Sequence, residues 1–232
     1  MCPHNYLTMK QRVKIDSAIL SLTIIVLALV CQSHKWYETN RYVDNLLDFL
    51  GVMSILNGTY IRMASRGYKK NFSESGKELV MTGPYALVRN PMYFGTFLIG
   101  AGFVLILWPW WILPIFAGLF YLRFQRQILK EETHLEKMFG KAYEDYRQEV
   151  PAIFPTFKRL RKLKVKQIFL WKEAWNTKEK RGLFVWPVLA LTLETIKEKF
   201  FIGSRDFPET IFIFLLAAIL FAVGLWWEYV KG

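Results

Sequence analysis

The chain is poor in the residue types that build most soluble cofactor and metal sites. It has two cysteines, Cys2 and Cys31, too few for a disulfide framework or a thiolate metal centre. The three histidines, His4, His34 and His134, are scattered, so no metal site is expected. No Gly-x-Gly-x-x-Gly and no P-loop pattern occurs, which argues against a dinucleotide- or nucleotide-binding domain of the common kinds. Acidic side chains are scarce, 19 against 31 Lys and Arg, for a formal charge of +12. No nucleic-acid motif accompanies that excess. The basic charge is therefore expected to face anionic membrane lipid, with no nucleic-acid partner.

What the chain has in quantity is uninterrupted apolar sequence. Residues are 53% hydrophobic and 17% aromatic, and the apolar runs alternate with basic segments, which is the pattern of membrane helices. Residues 15–31 read as a first span. No small-residue cleavage site follows them, so a signal peptide is not expected. Residues 43–61 read as a weaker second span, with Asp44 and Asp48 near its start, and 62–90 as a basic loop. Residues 91–124 are too long for one span and break at Trp108-Pro109-Trp110-Trp111. They predict a tight hairpin with arms 91–107 and 110–124, each about 24 Å long at ~1.5 Å per residue. Gly95, Gly100 and Gly102 would allow close helix contact there. Residues 125–149 return to helical periodicity, 158–181 are strongly basic, 183–200 are a poor span and 210–227 a clear one. The expected fold is an all-α polytopic membrane bundle of five or six spans, with its basic segments on the cytoplasmic side. Three parts follow: a core over 1–157, a basic cytoplasmic segment over 158–181, and C-terminal membrane segments over 182–232.

The chemistry concentrates in LVMTGPYALVRNPMY, residues 79–93. Gly83-Pro84 signals a turn. Asn90-Pro91 reads as an N-cap followed by the first helical residue, because Asn can accept from free helix N–H groups and Pro has none to leave unpaired. A helix start of this kind accepts an anion, and Arg89 precedes it. Some forty residues on, Glu131 and Glu132 lie three and four residues from both Ile128 and Leu135, on or beside an apolar stripe. A carboxylate there needs a cationic or hydrogen-bonding partner. Arg123 and Arg126 are the nearby structural candidates.

GPYALVRNPMY, the hairpin, Glu131-Glu132, then Phe139-Gly140, Tyr143, Tyr146 and Val150-Pro151 resemble the isoprenylcysteine carboxyl methyltransferase and phospholipid methyltransferase superfamily. The resemblance covers about residues 45–157. It implies an integral membrane enzyme of the bacterial inner membrane or endoplasmic reticulum. Such an enzyme uses S-adenosyl-L-methionine in a cytoplasm-facing pocket and acts on a lipophilic substrate. It also implies cofactor contacts at Lys77, Glu78, Leu79 and Val80, a strand-like stretch, and at Tyr85, Asn90, Pro91, Met92, Tyr93 and Glu131, with Glu132 beside it. Arg89, Arg126 and Gln127 are the candidates for contact with the reacting groups.

Two positions depart from the family pattern. Asn90 stands where His is common, which keeps a short polar group and removes the imidazole. Gln127 stands where carboxyl methyltransferases place an Arg for the substrate carboxylate. A phospholipid amine, a thiol or another lipophilic acceptor therefore stays open. Two other classes compete: a membrane sterol-reductase-like NADPH oxidoreductase, which shares a similar architecture, and a non-catalytic membrane scaffold.

Overall fold

A computed structural model describes residues 41–73, 78–156, 170–197 and 207–230. The expected span over 15–31, Lys77, and residues 158–169 of the basic segment lie outside them. All regular structure among the described residues is helical. The elements are α1 Arg41–Phe72, α2 Pro84–Leu87, α3 Pro91–Leu107, α4 Ile112–Phe139, α5 Lys141–Glu149, α6 Trp171–Trp175, a 3-10 turn Lys178–Arg181, α7 Gly182–Lys197 and α8 Phe207–Val230. Among these residues, no helix is both long enough and apolar enough to cross a membrane.

The hairpin over 91–124 forms with its first arm at the expected bounds, α3, and its break at Trp108–Trp111. Four expectations give way. The second arm does not stop at 124, because nothing in Arg123-Phe124-Gln125-Arg126 disfavours a helix. It runs to Phe139, and the chain then turns at Gly140, whose φ of 52° suits glycine. Residues 125–149 are thus two pieces, not one helix. Residues 62–72 are not a loop either: α1 continues through them as one helix of 32 residues. Met63, Ala64 and Tyr68 turn inward there and are buried, so the segment is amphipathic, with Arg66, Lys69 and Lys70 exposed. Residues 78–80, expected as strand-like, are irregular.

α1 and α3 form the centre of the bundle as an antiparallel pair held close by reciprocal glycines. A Cβ on Gly58 would come 2.6 Å from the Gly95 carbonyl oxygen, and one on Gly95 would come equally close to that of Gly58. Two turns away, a Cβ on Gly102 would come 2.5 Å from the Gly51 oxygen. The expected small-residue contact is therefore made by Gly95 and Gly102 against α1, while Gly100 faces the Phe116 ring on α4. Val52, Ile55 and Leu56 of α1, Ile106 of α3, Ala190 of α7 and Phe214 and Ala217 of α8 close one core. Beside it, Lys197 Nζ lies 2.8 Å from Glu194 and donates to the Ile106 carbonyl at 2.7 Å. Carboxylate oxygens of Asp44, Asp48 and Glu194 lie within 4.8 Å of one another.

Candidate functional site

The site grows from the turn at Gly83, whose φ of 61° and contact with the Tyr68 ring leave no room for a side chain. The single turn α2 follows and presents Tyr85. The chain then extends through Val88, and the backbone N–H groups of Arg89 and Asn90 donate to the carbonyls of Pro151 and Ala152 at 2.8 and 3.0 Å. Residues sixty apart are thereby fixed at the start of α3.

Arg89 donates from Nε and Nη2 to the two oxygens of Glu132 at 3.0 and 3.1 Å, the bidentate geometry in which guanidinium and carboxylate bind most strongly. Its Nη1 donates to the carbonyls of Arg147 and Val150. Asn90 sits at the N-cap position, but its side chain does not cap the helix. Its Nδ2 instead donates to Glu132 at 2.9 Å and to the Ala152 carbonyl at 3.2 Å. Glu132 is buried, and three donors converging on it offset the cost of taking its charge out of water. The capping expectation for Asn90 is corrected accordingly: the unmet charge of Glu132 is the stronger attractor, and Glu132 pairs with Arg89, not with Arg123 or Arg126.

A cavity of about 240 Å³ opens beside this knot. One wall carries Glu78, Leu79, Val80 and Tyr85; Arg89 is also on its lining. The opposite wall is α4, through His134, Leu135 and Met138, with Tyr146 of α5. Lys69 and Ser73 reach it from the last turn of α1. The Tyr146 hydroxyl donates to the Tyr85 carbonyl at 2.6 Å, which pins the turn to α5. Burial pushes the Tyr85 hydroxyl up to about 12; Glu131 adds to the rise and Arg66 opposes it. Tyr85 therefore stays a neutral donor at physiological pH and lies within electrostatic reach of Glu131.

Glu131 belongs to a third group. It is exposed, and one of its oxygens accepts from the Tyr93 hydroxyl at 2.7 Å and from Gln127 Nε2 at 2.9 Å. The Tyr93 ring meets Phe124, and an aromatic row continues through Phe120 to Phe97. Arg123 lies over Phe124 and Arg126 is exposed on the same helix. Pro91 is buried at the start of α3 and Met92 is half-buried beside it.

The expected site residues thus sort into a cavity wall (Glu78, Leu79, Val80, Tyr85), a buried knot (Arg89, Asn90, Glu132) and a surface cluster (Tyr93, Gln127, Glu131). Lys69, Ser73, His134, Leu135, Met138 and Tyr146 were not singled out for the site from sequence. A signal existed for part of this set. His134, Leu135 and Met138 stand three, four and seven residues after Glu131, the spacing of one helical face. Lys69 and Ser73 were hidden by reading 62–90 as a loop.

The family model of phospholipid methyltransferases matches residues 46–142. The chain is 31% identical over 117 residues to the protein-S-isoprenylcysteine O-methyltransferase of Schizosaccharomyces pombe, covering 49% of this chain and 50% of that protein. It is 26% identical over 134 residues to the nickel-cobalt-cadmium resistance protein NccN of Alcaligenes xylosoxydans xylosoxydans, covering 58% of this chain and 61% of that one. The alignments thus span about half to three fifths of these relatives' length. No solved structure matches the chain.

Proposed function

From the match of residues 46–142 to the phospholipid methyltransferase family model and the likeness to an isoprenylcysteine O-methyltransferase, we propose that the protein is a membrane methyltransferase of that superfamily. Its methyl donor is S-adenosyl-L-methionine and its acceptor is lipophilic. The observation that carries this reading is the cavity, which lies between residues 78–85 and α4, within the matched segment. Its donor set fits the cofactor. The cofactor is a zwitterionic amino acid joined through a sulfonium to a nucleoside, and the cavity offers both signs of charge, two tyrosines and apolar side chains. Pockets for whole ligands run to about 300–1,000 Å³, so this cavity accommodates one portion of the molecule. Tyr85 links it electrostatically to Glu131, which we assign to the remainder together with Tyr93 at the start of α3. When bound, S-adenosyl-L-methionine supplies an electrophilic methyl group. The chain's task is to hold that group in line with the acceptor and exclude water.

Membrane placement is supported by exposed apolar side chains along three helices: Leu119 and Leu122 of α4, Val188 of α7, and Phe212 and Ile219 of α8. The basic end of α1, with Arg66, Lys69 and Lys70, would then face the cytoplasm and its anionic headgroups. Gln127 donates to Glu131 and places no cation there, which favours acceptors other than a carboxylate, such as a phospholipid amine or a thiol. Isothermal titration of the detergent-solubilised protein tests the reading. Binding of S-adenosylhomocysteine without NADPH is expected. Binding of NADPH alone would support the reductase class, and binding of neither would support a scaffold.

A further inference from the structure

Two opposite charges on the cavity lining, Lys69 and Glu78, have no ion-pair partner among the described residues. Four basic residues stand in the last turns of α1: Arg62, which is half-buried and donates to Thr96 of α3, and Arg66, Lys69 and Lys70, which are exposed. Three are committed to the C-terminal segment. Arg62 and Arg66 pair with Glu179 at 2.9 and 3.4 Å, and Lys70 lies 3.7 Å from Glu173. Gly67 lets that segment lie flat on α1, since a Cβ there would come 2.9 Å from the Ala174 nitrogen. Lys69 points instead into the cavity and has no acidic partner among the described residues. Arg89, the other permanent cation on the lining, has its donors occupied by Glu132 and two carbonyls. On the same lining stands Glu78, held beside α1 by its backbone N–H donating to Ser73 Oγ at 3.2 Å. Its carboxylate likewise has no cationic partner among the described residues. Leu79, Val80 and Met138 supply apolar surface around these two groups.

A cation and an anion presented separately in one cavity, with apolar and aromatic surface beside them, complement a zwitterion carried on a less polar body. Resting on the methyltransferase reading, we propose that Lys69 and Glu78 bind the amino-acid end of the methyl donor, Lys69 its carboxylate and Glu78 its ammonium. Placement by charge-assisted hydrogen bonds from both poles would orient the rest of the molecule toward Tyr85 and Glu131. The C-terminal segment contributes indirectly. By pairing with Arg62, Arg66 and Lys70, it leaves Lys69 as the cation that α1 gives to the cavity.

Titration of the full-length protein in detergent with two ligands tests this: S-adenosylhomocysteine, and 5′-methylthioadenosine, which has the nucleoside thioether and no amino acid. Lys69→Met is expected to weaken S-adenosylhomocysteine about 10- to 150-fold, the range for a lost charge-assisted hydrogen bond. It should leave 5′-methylthioadenosine unchanged. Glu78→Gln should act in the same direction, Lys69→Arg should retain affinity, and Lys70→Met should bind both ligands as the wild type does. Equal weakening of both ligands by Lys69→Met, or wild-type affinity in Lys69→Met and Glu78→Gln, would overturn the assignment of the poles and leave the methyltransferase reading standing. A wild-type protein that binds no S-adenosylhomocysteine would overturn both.

Discussion

Arg89 and Glu132 meet at the start of α3, and Lys197 and Glu194 meet near its end, beside the Ile106 carbonyl. Both pairs are buried, yet they are satisfied in different ways. Around Glu132 there is one cation and one anion, and the remaining donors of Arg89 go to main-chain carbonyls. Around Lys197 there are three buried carboxylates, Asp44, Asp48 and Glu194, drawn from α1 and α7. The first arrangement is charge-balanced and lies inside the segment matched by the methyltransferase family. The second, among the described residues, gathers three acids about one lysine and ties α7 to the centre of the bundle. Burial alone does not say which partner matters more. In a balanced pair each partner protects the other, whereas in an acid-rich cluster the lysine carries the arrangement.

The comparison is broken most directly by removing the lysine. Lys197→Met leaves three acids together without that cation, and the expected loss is at or above the roughly 3–5 kcal/mol seen when one partner of a buried pair is deleted. Denaturant unfolding followed by helical circular dichroism would measure it. Arg89→Met comes next, with about 3–5 kcal/mol expected on the same grounds. The double variant Arg89→Met/Glu132→Leu should recover part of that loss, because it leaves no buried charge unmatched. Glu194→Gln should cost much less than Arg89→Met, within about 1 kcal/mol of wild type, because it leaves Lys197 the carboxylates of Asp44 and Asp48. A loss as large as that of Arg89→Met would mean that the two clusters are balanced alike.

The smallest effect concerns Tyr143, fully buried against the knot. Burial pushes its hydroxyl from 10.0 up to about 12, with Glu132 adding to the rise and Arg89 and Arg147 opposing it. The folded state favours the neutral phenol, so this contribution is whole below the ordinary value and is lost as pH rises through about 12. Tyr143→Phe, which keeps the ring, should melt within a few degrees of wild type at pH 7. Between pH 9 and 12 the melting temperature of wild type should fall more steeply than that of the variant. Parallel slopes would remove Tyr143 from the groups that oppose alkaline unfolding.

Sequence and structure agree best where the signal is local. Pro91 at a helix start, the break at Trp108–Trp111 and the turn at Gly83-Pro84 each follow from the conformational limits of one or two residues, and each is found where the sequence puts it. They disagree where a local signal had two readings. A run with Arg62, Arg66, Lys69 and Lys70 is compatible with a loop or with one face of a helix. The choice fell to helix because Met63, Ala64 and Tyr68 find partners on the inward side. Asn90 is compatible with capping or with a distant acceptor, and Glu132 supplied the acceptor.

By itself the sequence determined the helical class, the hairpin, and the need of the Glu131-Glu132 carboxylates, set against an apolar stripe, for polar partners. These rest on apolar periodicity, on proline and glycine, and on carboxylates placed against an apolar stripe, all of which act within a few residues. Only the tertiary structure decided which glutamate is buried with Arg89 and which is left to Tyr93 and Gln127. Adjacent residues on a helix point about 100° apart, so one register of α4 against α3 sends Glu132 inward and Glu131 outward. It likewise decided that Lys69 faces the cavity while Lys70 faces Glu173, since that depends on where the C-terminal segment lies against α1. No pattern within α1 itself records that partner.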